Sequence, residues 1–208
     1  MEKTVKKCPV CGHKAPSWII ESLKGKGVIG FFESRSKEMK KIYSLSPSVQ
    51  ELIRTNPEYN AQEKHIAIVI ENKGEICQSR DVIYDGSHLL IEYFLKHKEP
   101  YKVYHNIKKA ELISLFKNPK ITSIFVFAHG TRHGIKIDGQ MSFYCELKGG
   151  AKKNYVAQMH CNPGGGMSSK EVGLTKKEFA DNSTRTSLQN IKKIKEIIKL
   201  IDQGEIIL

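Results

Sequence analysis

From residue 65 onward, short and densely apolar runs alternate with longer stretches in which apolar residues recur every three or four positions. His65 to Glu71, "HIAIVIE", is a β-branched run of the kind that forms a buried strand. In "DGSHLLIEYFLKHKEP" the residues Leu89, Leu90, Tyr93 and Phe94 recur at helical spacing. Asp85 or Ser87 can cap that helix, and Pro100 follows its end. "YKVYHN", Tyr101 to Asn106, alternates as a strand, and "KKAELISLFKNP" puts Leu112, Leu115 and Phe116 on one face of a second helix. "ITSIFVFAHG" is a third strand whose apolar run stops at Ala128, directly before His129.

Beyond Gly139 the pattern loosens. "MSFYCELKGG" reads as an edge strand ending at Gly149-Gly150, and "NYVAQMHC", Asn154 to Cys161, as a further strand. A helix is expected around Lys176 to Ala180 and a clearer one from Ser187. There Leu188, Ile191, Ile194, Ile198 and Ile201 form one stripe, with Gly204 past its end. The final "EIIL" reads as a last strand. Strand, helix, strand, helix, strand with short connections indicates an α/β domain around a mainly parallel sheet, whose ligands and catalytic groups collect at the strands' carboxyl ends.

The first sixty residues differ. They carry "CPVCGHK", three glycines at Gly25, Gly27 and Gly30, and a short helix opened by Ser46-Pro47, running through Leu52 and Ile53 and stopped by Asn56-Pro57. A boundary is expected near Gln62, giving an N-terminal segment, residues 1–62, and a domain, residues 63–208.

Composition narrows the picture. The 208 residues are 39% hydrophobic and 27% charged, as expected of a soluble protein of one medium domain. The net charge of +12 invites a nucleic-acid reading. However, residues 1–64, 65–150 and 151–208 contribute +5, +3 and +4, mostly from Lys. So even a spread argues for a solvated surface and against a nucleic-acid footprint. The start "MEKTVKKCPV" has no apolar core of a secretory signal, and no run is long enough to span a bilayer. The five cysteines, Cys8, Cys11, Cys77, Cys145 and Cys161, are odd in number and irregularly spaced, which favours reduced thiols over a disulfide framework. The expectation is a cytoplasmic protein with no membrane partner.

Two residues carry candidate chemistry. His129 and Cys161 each end a predicted strand, and parallel neighbours can bring such ends together across a long sequence separation. A Cys thiol needs a base to become a strong nucleophile, and imidazole serves near neutral pH. Gly130 has no side chain, so its backbone N–H can approach a substrate carbonyl as an oxyanion donor must. His133 competes for the base role but sits in the turn, where it is less fixed. A His-x3-His metal pair would need a helix, which Gly130 and Gly134 oppose. His160, next to the Cys, is expected on the opposite face of the sheet in a structural role.

"VFAHGTRHGIKIDG" resembles the caspase-type pattern of an apolar strand, Ala-His-Gly, a turn with a second Gly, an alternating strand and Asp-Gly. "YVAQMHC" is similar to that signature's second half, a strand ending on the nucleophile. The resemblance spans about residues 63–165 and points to the caspase, metacaspase and bacterial caspase-like group. It implies a three-layer caspase-like sandwich and a cysteine endopeptidase with His129 as general base and Cys161 as nucleophile. The N–H groups of Gly130 and Cys161 would form the oxyanion hole, the substrate would be a protein or peptide, and catalysis would need no cofactor. A regulatory or activating protein is a further expected partner. Arg80 and Asp81, before the first long helix, match the neighbourhoods that read an acidic or a basic residue beside the cleaved bond. The chain departs from the pattern at Gln158-Met159-His160-Cys161, where caspases have Gln-Ala-Cys. His129 precedes Cys161 by 32 residues, where about 50 is usual.

Cys8 and Cys11, at Cys-x2-Cys spacing, supply two corners of a tetrahedral zinc site, with no second such pair in the chain. A structural zinc there is one reading, a relic or intermolecular site the other. "NPGGG" after Cys161 lacks the Gly-Lys-Ser/Thr ending of a phosphate loop. Two alternatives to the peptidase remain: a catalytically inactive adaptor of the same fold, and a zinc-knuckle nucleic-acid-binding protein.

Overall fold

The computed structural model describes residues 46–71, 86–131, 133–160, 167–180 and 187–208. The candidate residues Cys8, Cys11, Arg80, Asp81 and Cys161 lie outside these. Helix α1, Ser46–Thr55, runs up to Asn56-Pro57 and leads into the short strand β1, Glu58–Tyr59. The β-branched run forms β2, His65–Ile70, followed by α2, Ser87–His97, β3, Tyr101–His105, α3, Lys109–Lys117, and β4, Ile121–Phe127. A small antiparallel sheet comes next, with β5, His129–Thr131, β6, Gly134–Ile137, and β7, Gln140–Phe143. A 3₁₀ turn, Tyr144–Leu147, leads back to β8, Lys153–Gln158, then β9, Thr175–Phe179, and α4, Ser187–Asp202.

The main sheet has the order β1-β3-β2-β4-β8-β9, with only β1 antiparallel to its neighbour. Its central strand β2 is buried along its whole length and β4 at every position but Thr122, as expected of parallel strands covered on both faces. On one face Ile66, Ile68, Ile70, Phe125 and Phe127 pack against Leu90, Ile91 and Phe94 of α2 and Ile194 and Ile197 of α4. On the other, Ala67, Val69, Ile124 and Val126 pack against α3 through Leu112, Leu115 and Phe116, and against the β5–β7 sheet through Ile135 and Ile137. Each fully buried side chain of this size contributes roughly 1.5–3 kcal/mol by removal from water, so the alternation along β2 and β4 locks their register. Among the described residues no helix is long and apolar enough to cross a membrane.

Four features differ from the expectations above. Residues 176–180 are not helical: Thr175–Phe179 is a strand paired in parallel with β8. It is the outermost strand, so Lys176 and Lys177 remain exposed and charged, which protects a sheet edge from foreign pairing. "MSFYCELKGG" is only partly a strand; after Phe143 the chain tightens into a 3₁₀ turn that buries Tyr144 and Leu147, three residues apart on one face. The terminal "EIIL" forms no strand. Gly204, at φ 72°, turns the chain back so that Glu205 and Ile206 donate to the Leu200 carbonyl and Ile206 covers the helix end. Lastly, β1 lies before Gln62 yet pairs with β3, Val103 donates to the Pro57 carbonyl, and Ile53 enters the core. The sheet therefore takes up residues on both sides of the expected boundary.

Candidate active site

The carboxyl ends of β2, β4 and β8 meet at one edge of the sheet. β4 and β8 are adjacent and parallel, in a register that ends with Val126 opposite Gln158. Backbone pairing continues past the strand ends, with Met159 N–H donating to Val126 O at 2.9 Å and Glu71 N–H to Phe127 O at 2.9 Å. His129 lies two residues beyond the end of β4. It does not close that strand, as expected from the sequence, but opens the separate sheet as the first residue of β5, opposite Lys136.

Gly130 is held tightly. A Cβ built there would lie 2.6 Å from His160 Nδ1 and 2.7 Å from the Gly134 carbonyl oxygen. The position where a side chain would start thus points at His160, and by strand alternation the His129 side chain projects from the opposite face. The His129 imidazole is half-buried; that burial, followed by the nearby Lys136 charge, holds its pKa below the ordinary 6.5. The neutral ring, the form that can accept a proton, is favoured at pH 7.

His160 is buried. Its Nε2 is hydrogen-bonded to Tyr144 Oη at 3.1 Å, and the two rings lie nearly parallel, 20° apart. Burial holds the Tyr144 phenol well above its usual pKa, so it stays neutral. His133 belongs to the turn: its ring stacks on Phe143 with centroids 5.3 Å apart, and its Nδ1 lies 3.2 Å from Thr131 Oγ1. That contact directs it along the small sheet.

The flanks of the site are tied by residues that periodicity could not identify. Asn190 of α4 donates to the Met159 carbonyl at 3.1 Å. Glu178, in the stretch expected to be helical, accepts from Ser168 Oγ and Ser169 Oγ at 2.6 Å each and from the Lys170 N–H at 2.7 Å. Ser169 also reaches buried Gln158. The Ser-Ser-Lys run offered a faint signal, three adjacent donors without a helical stripe.

The sheet's opposite edge is chemically distinct. A cavity of 410 Å³ there is lined by Lys152, Lys153, Asn154, Lys176, Lys177 and Ile207. Lys153 is buried, with its pKa pressed down to about 8 by that burial, and its ammonium donates to the Asn118 and Ile121 carbonyls at 2.6 and 3.0 Å. These lysines begin β8 and β9 and so stand a strand's length from His129. Among the described residues no group of three or more His, Cys, Asp or Glu side chains could hold a metal ion. No protein-family model matches the chain, and no curated protein matches it significantly.

Proposed function

We propose that the chain is a cysteine peptidase of the caspase-like type, acting on protein or peptide substrates in the cytoplasm. The observation that carries this reading is the β4–β8 register. Val126 and Gln158 are opposite each other, and His129 and Cys161 each follow by three positions. The Gly130–His160 contact supports it further, because it brings together the residues that are bonded to His129 and to Cys161. The α/β sheet with helices on both faces and a hairpin after β4 supports a three-layer caspase-like sandwich.

In this mechanism neutral His129 takes the Cys161 thiol proton as sulfur attacks the peptide carbonyl carbon. The oxyanion is held by the N–H groups of Gly130 and Cys161. Collapse of the tetrahedral intermediate breaks the C–N bond, with the imidazolium returning its proton to the leaving amine. Water then attacks the thioester, His129 accepts its proton, and the thiol is restored as the carboxylic acid departs. Arg80 and Asp81 are proposed to select the residue beside the cleaved bond. Cys8 and Cys11 are proposed zinc ligands. The test is cleavage of a diverse peptide pool: wild type cleaves, whereas Cys161→Ala and His129→Ala lose at least about a hundredfold in rate. Equal cleavage by all three refutes the reading.

A second reading, a non-catalytic interaction module of the same fold, is favoured by one observation. The contact of Gly130 with His160 gives the His-Gly sequence a packing reason independent of catalysis. That reading predicts an intact binding partner and no turnover in the His129→Ala comparison.

A further inference from the structure

Resting on the peptidase reading, we infer that His160 is a positioning residue: a buried strut that fixes the end of β8 against the start of β5. The strand ends leaving β4 and β8 diverge, because His129 enters a different sheet from β8. Backbone pairing between them is last seen at Met159 N–H to Val126 O. Some other contact must set the distance between the two chains beyond that point, and His160 supplies it from three sides.

Its imidazole edge fills the space where Gly130 lacks a side chain, so ring and glycine backbone touch directly. Its Nε2 is tied to Tyr144, which is wholly buried. The Tyr144 N–H donates to the His133 carbonyl at 2.8 Å, and its ring meets Phe116 edge-on, 80° from parallel. The peptide before His160 is gripped by Asn190, so helix α4 holds the same point from the other face. A residue of caspase-like type at this position is small. Here a large polar ring stands there, seated against the bare backbone of Gly130 and hydrogen-bonded to the Tyr144 phenol.

The chemical consequence follows from geometry. His129 is bonded to Gly130, and the candidate nucleophile is bonded to His160. A ring packed between Gly130 and β8 therefore sets how far the base stands from the sulfur, acting through the backbone on either side. A displacement of about 1 Å at such a pair is enough to cost up to about a hundredfold in rate.

The test is the pH dependence of alkylation at Cys161 by iodoacetamide, followed by mass spectrometry of the Cys161 peptide, in wild type, His129→Ala, His160→Ala, His160→Gln and Tyr144→Phe. Melting temperatures are measured alongside. In the wild type, His129 assistance places the alkylation limb below the ordinary thiol value of about 8.5. The inference predicts that His160→Ala moves that limb up by a unit or more, making alkylation about tenfold slower at pH 7. His160→Gln, whose amide can still reach Tyr144, retains most of the rate. Tyr144→Phe removes one oxygen and keeps the ring, so it reports on folded protein even where His160→Ala melts too early to assay, and it shifts the limb in the same direction. Wild-type profiles in both Tyr144→Phe and His160→Ala, with the His129 dependence intact, overturn the inference alone. A wild-type profile that His129→Ala does not change overturns the peptidase reading together with it.

Discussion

Replacing Gly130 with Ala tests the inner face of the site most severely. The new Cβ would stand 2.6 Å from His160 Nδ1 and 2.7 Å from the Gly134 carbonyl oxygen, both well inside the 3.4 Å at which ordinary contact begins. Neither neighbour can yield cheaply. The imidazole is 1% exposed and tied to Tyr144, and the carbonyl belongs to a residue paired on both sides, with Thr131 and Phe143. Two such overlaps put the substitution at the upper end of overpacking costs, about 3 kcal/mol. The entropy removed from the unfolded chain returns about 0.4–1 kcal/mol, leaving a net loss of about 2 kcal/mol. For a chain of this length that lowers the melting temperature by roughly 4–8 °C. Thermal and urea melts of Gly130→Ala, His160→Ala and the double variant measure it. Trimming His160 removes one of the two overlaps, so Ala at 130 should cost about 1 kcal/mol less in that background. A Gly130→Ala melting temperature within about 1 °C of wild type, or an Ala cost indifferent to His160, refutes the packing described here.

Other expectations follow from the same geometry. His129 and His88 both have pKa values held below 6.5, chiefly by burial. As pH falls below 6.5 the unfolded chain takes up protons that the folded chain resists, so stability drops as pH passes down through the folded-state values; melting temperatures from pH 7.5 to 5 should show this, with a shallower decline in His129→Gln. Lys153→Met should cost about 1–3 kcal/mol, because the buried Ile121 carbonyl loses this donor and the part-buried Asn118 carbonyl loses one of two; an unchanged urea midpoint contradicts the tie. Glu178→Ala should release Ser168, Ser169 and Lys170, raising hydrogen exchange at the Lys170 amide while leaving that of the β2 amides unchanged.

Much of the parallel sheet was legible because its central strands are buried on both faces and therefore read as apolar runs, as in Ile66–Ile70 and Ile124–Phe127. β9 was not legible, because an edge strand with exposed lysines carries no such run, and its "KKEF" is equally compatible with a helix. The 3₁₀ turn hid for a different reason. It follows directly on a real strand, Gln140–Phe143, and its four residues are too few to establish a spacing of three against the alternation before it. At the site, His129 and Gly130 stood out through strand-end chemistry, and the structural role expected for His160 matches its burial. Its partner Tyr144 lies 16 residues away in sequence, and Asn190 lies 31 residues from the Met159 carbonyl it holds; only tertiary packing brings them together. In the small sheet the strands at Gly134–Ile137 and Gln140–Phe143 were legible, whereas β5, beginning at His129 itself, was read as the end of β4 and a turn.

The central claim is that His129 activates Cys161, and covalent labelling tests it most directly. Wild type and His129→Ala are treated with a peptide-like, Cys-directed electrophile at pH 7, and every cysteine is mapped by mass spectrometry. The account predicts modification concentrated on Cys161 and at least about tenfold slower without His129. Equal labelling of Cys161 in the two proteins, or labelling spread evenly over the five cysteines, contradicts it.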